Sequence, residues 1–280
     1  MNTDQSLAEQ IQYAVQAIRE ADGLLITAGA GMGVDSGLPD FRSSDGFWNA
    51  YPALGKLNID FQRIACPQAF IEDPTLAWGF YGHRLNLYRR TAPHDGFRIL
   101  REIAEKLPDS AFVVTSNVDG QFQKAGFFEQ RIYEVHGSIH RMRCMNDNCD
   151  TWSAQSFIPK VDEESCRLIS ELPRCRTCGS IARPNIHMFA DWEWNDGMAE
   201  CQQMRLNDWL AGVDKLVTVE IGAGKNISTI RNIGGRQDGW IIRINPQHYG
   251  LNPGQRGVPL AMGGLEALRL IEAEMKNVSI

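Results

Sequence analysis

Apolar positions fall into a helical pattern at the start of the chain. Leu7, Ile11, Val15 and Ile18 share one face, and Ser6 with Glu9 forms a capping box ahead of them. The spacing predicts a helix over 6–21. An unbroken apolar run, Leu24-Leu25-Ile26, predicts a buried strand over 23–28. Residues 29–60 are rich in Gly, Pro, Ser and Asp and read as a long loop; such loops in compact domains are usually functional. An apolar stripe through Phe70, Ala77, Phe80 and Leu87 predicts a helix over 67–92, and a further helix runs from His94 to Leu107, closed by Pro108. Phe112-Val113-Val114-Thr115 reads as a short buried strand, and another runs from Ile132 to Val135. Residues 144–182 are polar, carry paired cysteines and look like an inserted module. The rhythm then returns as helix 200–211, strand 215–221, a short helix near 226–233, strand 239–244 and helix 264–276. Strands alternating with helices predict an α/β fold with a doubly wound parallel sheet.

Composition narrows the class. At 280 residues and 43% hydrophobic, the chain suits one large domain or a domain with an insert. A net charge of -6 argues against a dedicated nucleic-acid or anionic-membrane binder. No run approaches about 18 apolar residues, so no membrane partner is expected. Asp4 and Glu9 stand where a secretory signal would carry positive charge. Seven cysteines is an odd count, and four have metal-ligand spacing, which fits a reducing, cytoplasmic setting better than a disulfide scaffold.

The chemistry concentrates in a few segments. Gly29, Gly31 and Gly33 alternate directly after the first strand. Glycines there let backbone N–H groups approach a phosphate, although a tight strand-to-helix turn would use them too. Their spacing is G-x-G-x-G, not G-x-G-x-x-G, and no acidic residue closes a second strand to hold a ribose. Asp40-Phe41-Arg42 follows with a carboxylate, a ring and a guanidinium. Cys144 and Cys149 form a C-x4-C pair, and Cys175 and Cys178 a C-x2-C pair flanked by Pro173 and Gly179. Four thiolates suit a tetrahedral structural zinc with no open position; the alternative is free buried cysteines. Cys66, Cys166 and Cys201 lack the spacing and are assigned to packing or surface. Asn117 and Asp119 lie past a predicted strand, at the sheet edge where α/β ligands bind, although an Asx-turn accounts for them equally well. His136, just past another strand, is either a general base or a packing residue.

In order along the chain these motifs resemble the sirtuin (Sir2) family of NAD-dependent protein deacylases. The matching residues are Gly29-Ala30-Gly31, Ser36 to Arg42, Thr115 to Gly120 and Val135 to Ser138. The two cysteine pairs follow, then Arg183 to Phe189, Gly222-Ala223-Gly224 and Ile244-Asn245, so the likeness covers roughly residues 20 to 265. The resemblance implies a Rossmann-like NAD-binding domain (1–48, 93–140 and 190–280) with helices on both sheet faces. It also implies a small domain with a helical part (49–92) and a zinc-ribbon part (141–189). NAD is then a consumed co-substrate. Gly29, Ala30, Gly31, Gly33, Asp40, Phe41, Arg42, Asn117, Asp119, Gly222, Ala223, Gly224 and Asn245 fall at the family's cofactor positions. His136 is the implied general base, with Asn117 steadying the ribose. Ile186, His187 and Phe189 fall at the acyl-lysine cleft. The implied partner is an acylated-lysine protein or peptide, without direct nucleic-acid contact.

Tyr81 and Arg84 form a Y-x-x-R pair on one face of a predicted helix. Sirtuins that remove succinyl or malonyl groups carry such a pair; it reads equally as an ordinary surface pair. The chain also departs from the family. Gly33 stands for Ser, Ser116 for Gln, Gly222-Ala223-Gly224 for Gly-Thr-Ser, His187 for a small apolar residue and Ala190-Asp191 for Gly-Glu. A mono-ADP-ribosyltransferase or NAD glycohydrolase on the same scaffold is therefore the alternative function. Glu220 interrupts a predicted buried strand, where an unpaired carboxylate is costly.

Overall fold

A computed structural model describes residues 6–39, 44–146 (44–46 through their backbone alone), 149–192, 194, 197–225 and 228–277. Its strands are β1 (Gly23–Ala28), β2 (Ala111–Thr115), β3 (Ile132–Glu134), β4 (Gly137–Cys144), β5 (Trp152–Ser153), β6 (Val161–Asp162), β7 (Arg167–Leu168), β8 (Ala182–Ile186), β9 (Leu216–Ile221), β10 (Trp240–Ile244) and β11 (Gly257–Leu260). Six of them form one sheet in the order β11-β10-β9-β1-β2-β3, with every neighbouring pair parallel. β4 pairs antiparallel with β5 and β8 in a second, three-stranded sheet, and β6 with β7 in a two-stranded one.

The apolar runs explain the large sheet. Both of its faces are covered, so its strands need no polar side. Leu24, Ile26, Ala111 and Val113 pack into one cluster with the helices Leu7–Arg19, Asp95–Ala104 and Gly264–Asn277. Leu25, Phe112 and Val114 point the other way, to Leu206, Trp209 and Ile230. The first helix begins as its sequence requires: Ser6 Oγ accepts the Glu9 N–H at 3.3 Å and the Glu9 carboxylate accepts the Ser6 N–H at 2.9 Å.

Residues 29–60 are not the structureless loop their composition suggests. They hold a 3-10 helix, Ala30–Ser36, and short helices at Ser44–Ala50 and Pro52–Lys56. Phe47, Tyr51 and Leu54, at helical spacing among the polar residues, bury themselves in a separate apolar cluster. The helix expected over 67–92 is two helices, Pro67–Glu72 and Pro74–Arg90. Pro74 has no N–H to continue the first, and the Asp73 carboxylate caps the second by accepting the Leu76 N–H at 3.1 Å. β11 has no counterpart in the sequence reading. It contains Pro259, which only an edge strand tolerates readily, and it lies at the sheet edge.

Glu220 is neither exposed nor alone. It lies opposite Arg243 in the β9–β10 register, and the guanidinium donates to both carboxylate oxygens, at 2.7 and 3.2 Å. Arg231 adds a second cation at 3.9 Å. Arg243 also donates to the Gly250 carbonyl at 2.6 Å, and Arg231 to those of Ala223 and His248 at 3.2 and 2.8 Å. Glu220→Leu should therefore lower unfolding free energy in urea by about 3 kcal/mol, because it strands buried Arg243. The double variant Glu220→Leu/Arg243→Met should recover most of that loss.

Candidate functional site

The strand order reverses between β1 and β9, so the loops leaving their C-terminal ends diverge and open a crevice there. The glycines let these two loops meet. A Cβ on Gly31 would stand 2.6 Å from Gly222 Cα, and one on Gly29 2.6 Å from the Gly222 carbonyl oxygen. Gly222 itself has φ +63. Loop-to-loop packing thus accounts for Gly29 and Gly31. A Cβ on Gly33 would come nearest the Leu38 side chain, at 3.0 Å, and Gly33 lines a cavity of about 330 Å³.

That cavity gathers much of what the motifs singled out. Its walls include Ala30, Gly33, Asn117, Asp119, His136, Ile186, His187, Phe189, Tyr81 and Arg84. Asn117 and Asp119 arrive on the turn after β2. The Asn117 amide donates to the Gly29 carbonyl at 3.0 Å, and the Thr115 hydroxyl donates to that of Ala28 at 3.1 Å, lacing the β1 and β2 ends together. Asp119 Oδ1 accepts the Gln121 N–H at 2.9 Å, so the Asx-turn reading holds for Asp119 without removing it from the cavity wall. Burial pushes its carboxyl up to about 6, against the pull of that N–H and of Arg84. Burial also drives Glu134, on β3, up to about 7.

His136 follows β3. Its carbonyl accepts the His187 N–H at 3.0 Å, and the two rings meet edge to face at 6.0 Å. Tyr81 and Arg84 are not a surface pair: both are buried on the helix Pro74–Arg90. Arg84 donates twice to the Tyr88 hydroxyl, at 3.1 and 2.7 Å. Its guanidinium carbon lies 5.3 to 6.0 Å from the ring centroids of Phe80, Tyr88, Tyr81 and Phe61. Tyr88, one helical turn beyond Arg84, was legible from i,i+4 spacing and was missed.

Other expected positions lie beside the cavity. Ala223 is buried, and Asn245 reaches it by donating its amide to the Ala223 carbonyl at 3.2 Å. Asn245 Oδ1 accepts the N–H groups of Gln247 and His248, at 2.9 and 2.8 Å, so this side chain fastens two loops. Gly224 follows on the same loop. Asp40, Phe41 and Arg42 lie outside the described residues. Trp194, which sequence reasoning passed over, stacks on His187 with planes 7° apart; its segment has no periodicity that would have marked it.

The four paired cysteines converge. All four sulfur atoms lie within 4.8 Å of one another, with Cys178 Sγ 3.4 Å from Cys144 and 3.7 Å from Cys149. A zinc tetrahedron with bonds of about 2.3 Å has edges of about 3.8 Å, so the donor set fits that ion. Hydrogen bonds from Ser180 pull the Cys178 thiol down to about 6, toward the thiolate a metal needs. Gly179, with φ +76, closes the second knuckle by donating to the Cys175 carbonyl at 2.9 Å. Cys166 is buried, Cys66 half-buried and Cys201 exposed, all outside the cluster.

The switch-point crevice, the interlocked glycine loops and the four-cysteine module mark an α/β protein with a crevice where such folds take nucleotides and an insert able to hold a metal ion. The sequence profile of the Sir2 family matches residues 29–214, and the chain belongs to that family. An NAD-dependent protein deacylase of Pyrococcus furiosus is 35% identical over 163 residues, which span 58% of this chain and 59% of that one. A mitochondrial NAD-dependent protein deacylase sirtuin-5 of Danio rerio is 30% identical over 187 residues, 61% of this chain and 58% of that one. The chain thus spans about three fifths of the length of these relatives. A solved complex of a Sir2 homolog with NAD superposes with a TM-score of 0.71 at 25% identity, covering 96% of this chain and 95% of that one.

Metal removal is a direct check on the cysteine cluster. Elemental analysis should find about one zinc per chain, lost in Cys178→Ser and retained in Cys201→Ser. Stripping it with a strong chelator should lower the melting temperature, because so small a ribbon has little apolar core of its own.

Proposed function

We propose that the protein is an NAD-dependent protein-lysine deacylase that moves the acyl group onto ADP-ribose and releases nicotinamide. The observation that carries this reading is one continuous cavity at the strand switch point. It joins Asn117, Asp119 and His136 to the buried Tyr81/Arg84 pair. The likeness to the Sir2–NAD complex and to named deacylases supports NAD as the consumed substrate. The interlocked loops at Gly29–Gly33 and Gly222–Gly224 form the rim that receives its phosphates; the Gly29, Gly31 and Gly222 N–H groups shape that rim by donating to backbone carbonyls, and Asn245 holds the second loop in place. Asp40, Phe41 and Arg42 belong to the same binding segment in this proposal.

The chemistry assigns one task to each group. The bond between the ribose carbon and nicotinamide breaks as the acyl oxygen of the modified lysine bonds to that carbon. Asn117 and Asp119 hold the ribose and the departing carboxamide. His136 then takes the proton of a ribose hydroxyl, whose oxygen attacks the former carbonyl carbon. Water supplies the remaining oxygen, and the lysine leaves as its free amine. Ile186, His187 and Phe189 line the entry for the lysine chain.

Arg84 specifies the acyl class. A buried guanidinium ringed by four aromatic faces matches an acyl chain ending in a carboxylate, such as succinyl or malonyl. The similarity to a sirtuin-5 points the same way. A mono-ADP-ribosyltransferase or NAD glycohydrolase is the second reading. It draws on the exposed imidazole of His187 at the cleft and on the missing hydroxyls at Gly222-Ala223-Gly224. The domain limits of 1–48, 93–140 and 190–280 against 49–92 and 141–189 belong to this proposal, as does a cytoplasmic location. Four clustered cysteines with metal-ligand geometry and three lone ones support a reducing setting, and among the described residues no helix is long and apolar enough to cross a membrane.

Incubation with NAD and acetyl-, succinyl- or unmodified lysine peptide, read by mass spectrometry, separates the readings. Deacylation gives acyl-ADP-ribose only with acylated peptide; hydrolysis gives free ADP-ribose without peptide; transfer adds mass to protein. Arg84→Leu should cut kcat/KM for the succinyl peptide at least about tenfold more than for the acetyl peptide, the order lost with one charge-assisted pair.

The pH profile follows from Asp119. Its folded pKa of about 6 lies above its unfolded value, so burial adds stability at low pH that is lost as pH rises through about 6. The carboxylate that binds substrate has the opposite dependence. NAD turnover should fall about tenfold per unit below pH 6. Asp119→Asn should remove that limb, and Glu134→Gln should leave it in place.

A further inference from the structure

His136 ends the turn between β3 and β4. Gly137 has φ +72. A Cβ there would strike the Asn185 carbonyl and press on Trp194 Cζ2 at 3.2 Å. The indole of Trp194 is thus packed on the backbone that immediately follows His136. Its face also carries the His187 ring, with centroids 4.8 Å apart and planes 7° from parallel. That is a favourable aromatic separation. His187 meets the His136 ring at 6.0 Å and a 60° angle, and its N–H fixes the His136 carbonyl at 3.0 Å.

The backbone that carries the indole is itself held. The Trp194 backbone N–H donates to the Asp191 carbonyl at 3.1 Å. The Asp191 carboxylate is held by buried Arg183, with contacts at 3.0 and 2.8 Å, and accepts the Met188 N–H at 3.3 Å. The same short segment therefore orders the cleft residues and the tryptophan. Trp194 is not among the residues lining the cavity, so it reaches the chemistry only through its neighbours.

We propose that Trp194 is a positioning residue for His136, holding the imidazole by packing on Gly137 and by fixing the His187 ring. The torsion that orients a histidine ring is broad, and a general base must lie within hydrogen-bond reach of its proton. A ring column braced at the far end narrows that torsion. The inference rests on the deacylase reading, in which nicotinamide departs before His136 is needed. Loss of Trp194 then affects the second stage more than the first.

The test compares the full chain with Trp194→Ala, Trp194→Leu and Trp194→Phe. Two rates are measured: acyl transfer from an acylated peptide, and exchange of labelled nicotinamide into NAD. The ratio of transfer to exchange should drop at least about tenfold in Trp194→Ala, and likewise in Trp194→Leu, which keeps bulk on Gly137 but offers no flat face. Trp194→Phe should restore it to within about threefold. Proton–carbon NMR of histidine-labelled protein reads the ring without turnover. The His136 Cε1–H resonance, assigned with His136→Ala, should shift and broaden in the Ala and Leu variants and return in Phe. An unchanged ratio, or equal loss of both rates, overturns the proposal. So does an unmoved His136 resonance in Ala and Leu variants that melt cooperatively. A wild-type chain that releases no nicotinamide defeats the deacylase reading instead, and the resonance then decides the proposal alone.

Discussion

The close approach of two backbones at the sheet's switch point is the constraint on which the rest depends. Gly31 and Gly222 come together with no room for a side chain on either. Strands β1 and β9 are neighbours, but the segments leaving them wind away to opposite faces. Only glycine lets those segments touch before they part. The contact draws the start of the 3-10 helix Ala30–Ser36 and the loop after β9 into one rim. The turn after β2 is tied to the same rim through Asn117 and Gly29. Three strand ends therefore share a single edge, and the cavity is the space beneath it.

A second layer of organisation lies below that rim. Two charged groups, Glu220 and Arg243, sit where a parallel sheet ordinarily places aliphatic residues, and Arg231, on the helix Thr229–Gly235, lies against them. Removing them from water is expensive, and their mutual attraction offsets that cost only with good geometry and further partners. Here the spare guanidinium hydrogens go to the carbonyls of Ala223, His248 and Gly250. Those carbonyls belong to the two loops beside the crevice. The buried charges thus hold irregular backbone in place, which apolar packing at the same positions could not do.

How much of this was legible in the sequence varies with the kind of signal. Strand cores such as Leu24-Leu25-Ile26 and Phe112-Val113-Val114 were plain, because burial on both faces leaves an unbroken apolar run. The cysteine cluster was plain because ligand spacing follows from metal geometry. The helices within 29–60 were hidden, since Phe47, Tyr51 and Leu54 carry their period through residues of loop-like composition. β11 was hidden by Pro259. Arg243 was invisible as the partner of Glu220, because pairing across parallel strands joins residues 23 positions apart with no local mark. The Tyr81/Arg84 pair was found by spacing, but its burial depended on contacts from Phe61 and Tyr88 that spacing alone does not give.

β4 joins two features that the chemistry keeps apart. Its first residue, Gly137, follows His136; its last, Cys144, is one of the four clustered thiols. The strand bulges between Ser138 and Met142, so its eight residues lie along the five of β8, a length of roughly 17 Å. Along it the strand pairs with β8, whose last residue, Ile186, lines the cavity. The cysteine cluster and the cavity are therefore opposite ends of one strand pair, and the cluster anchors the strands that supply part of the cavity wall.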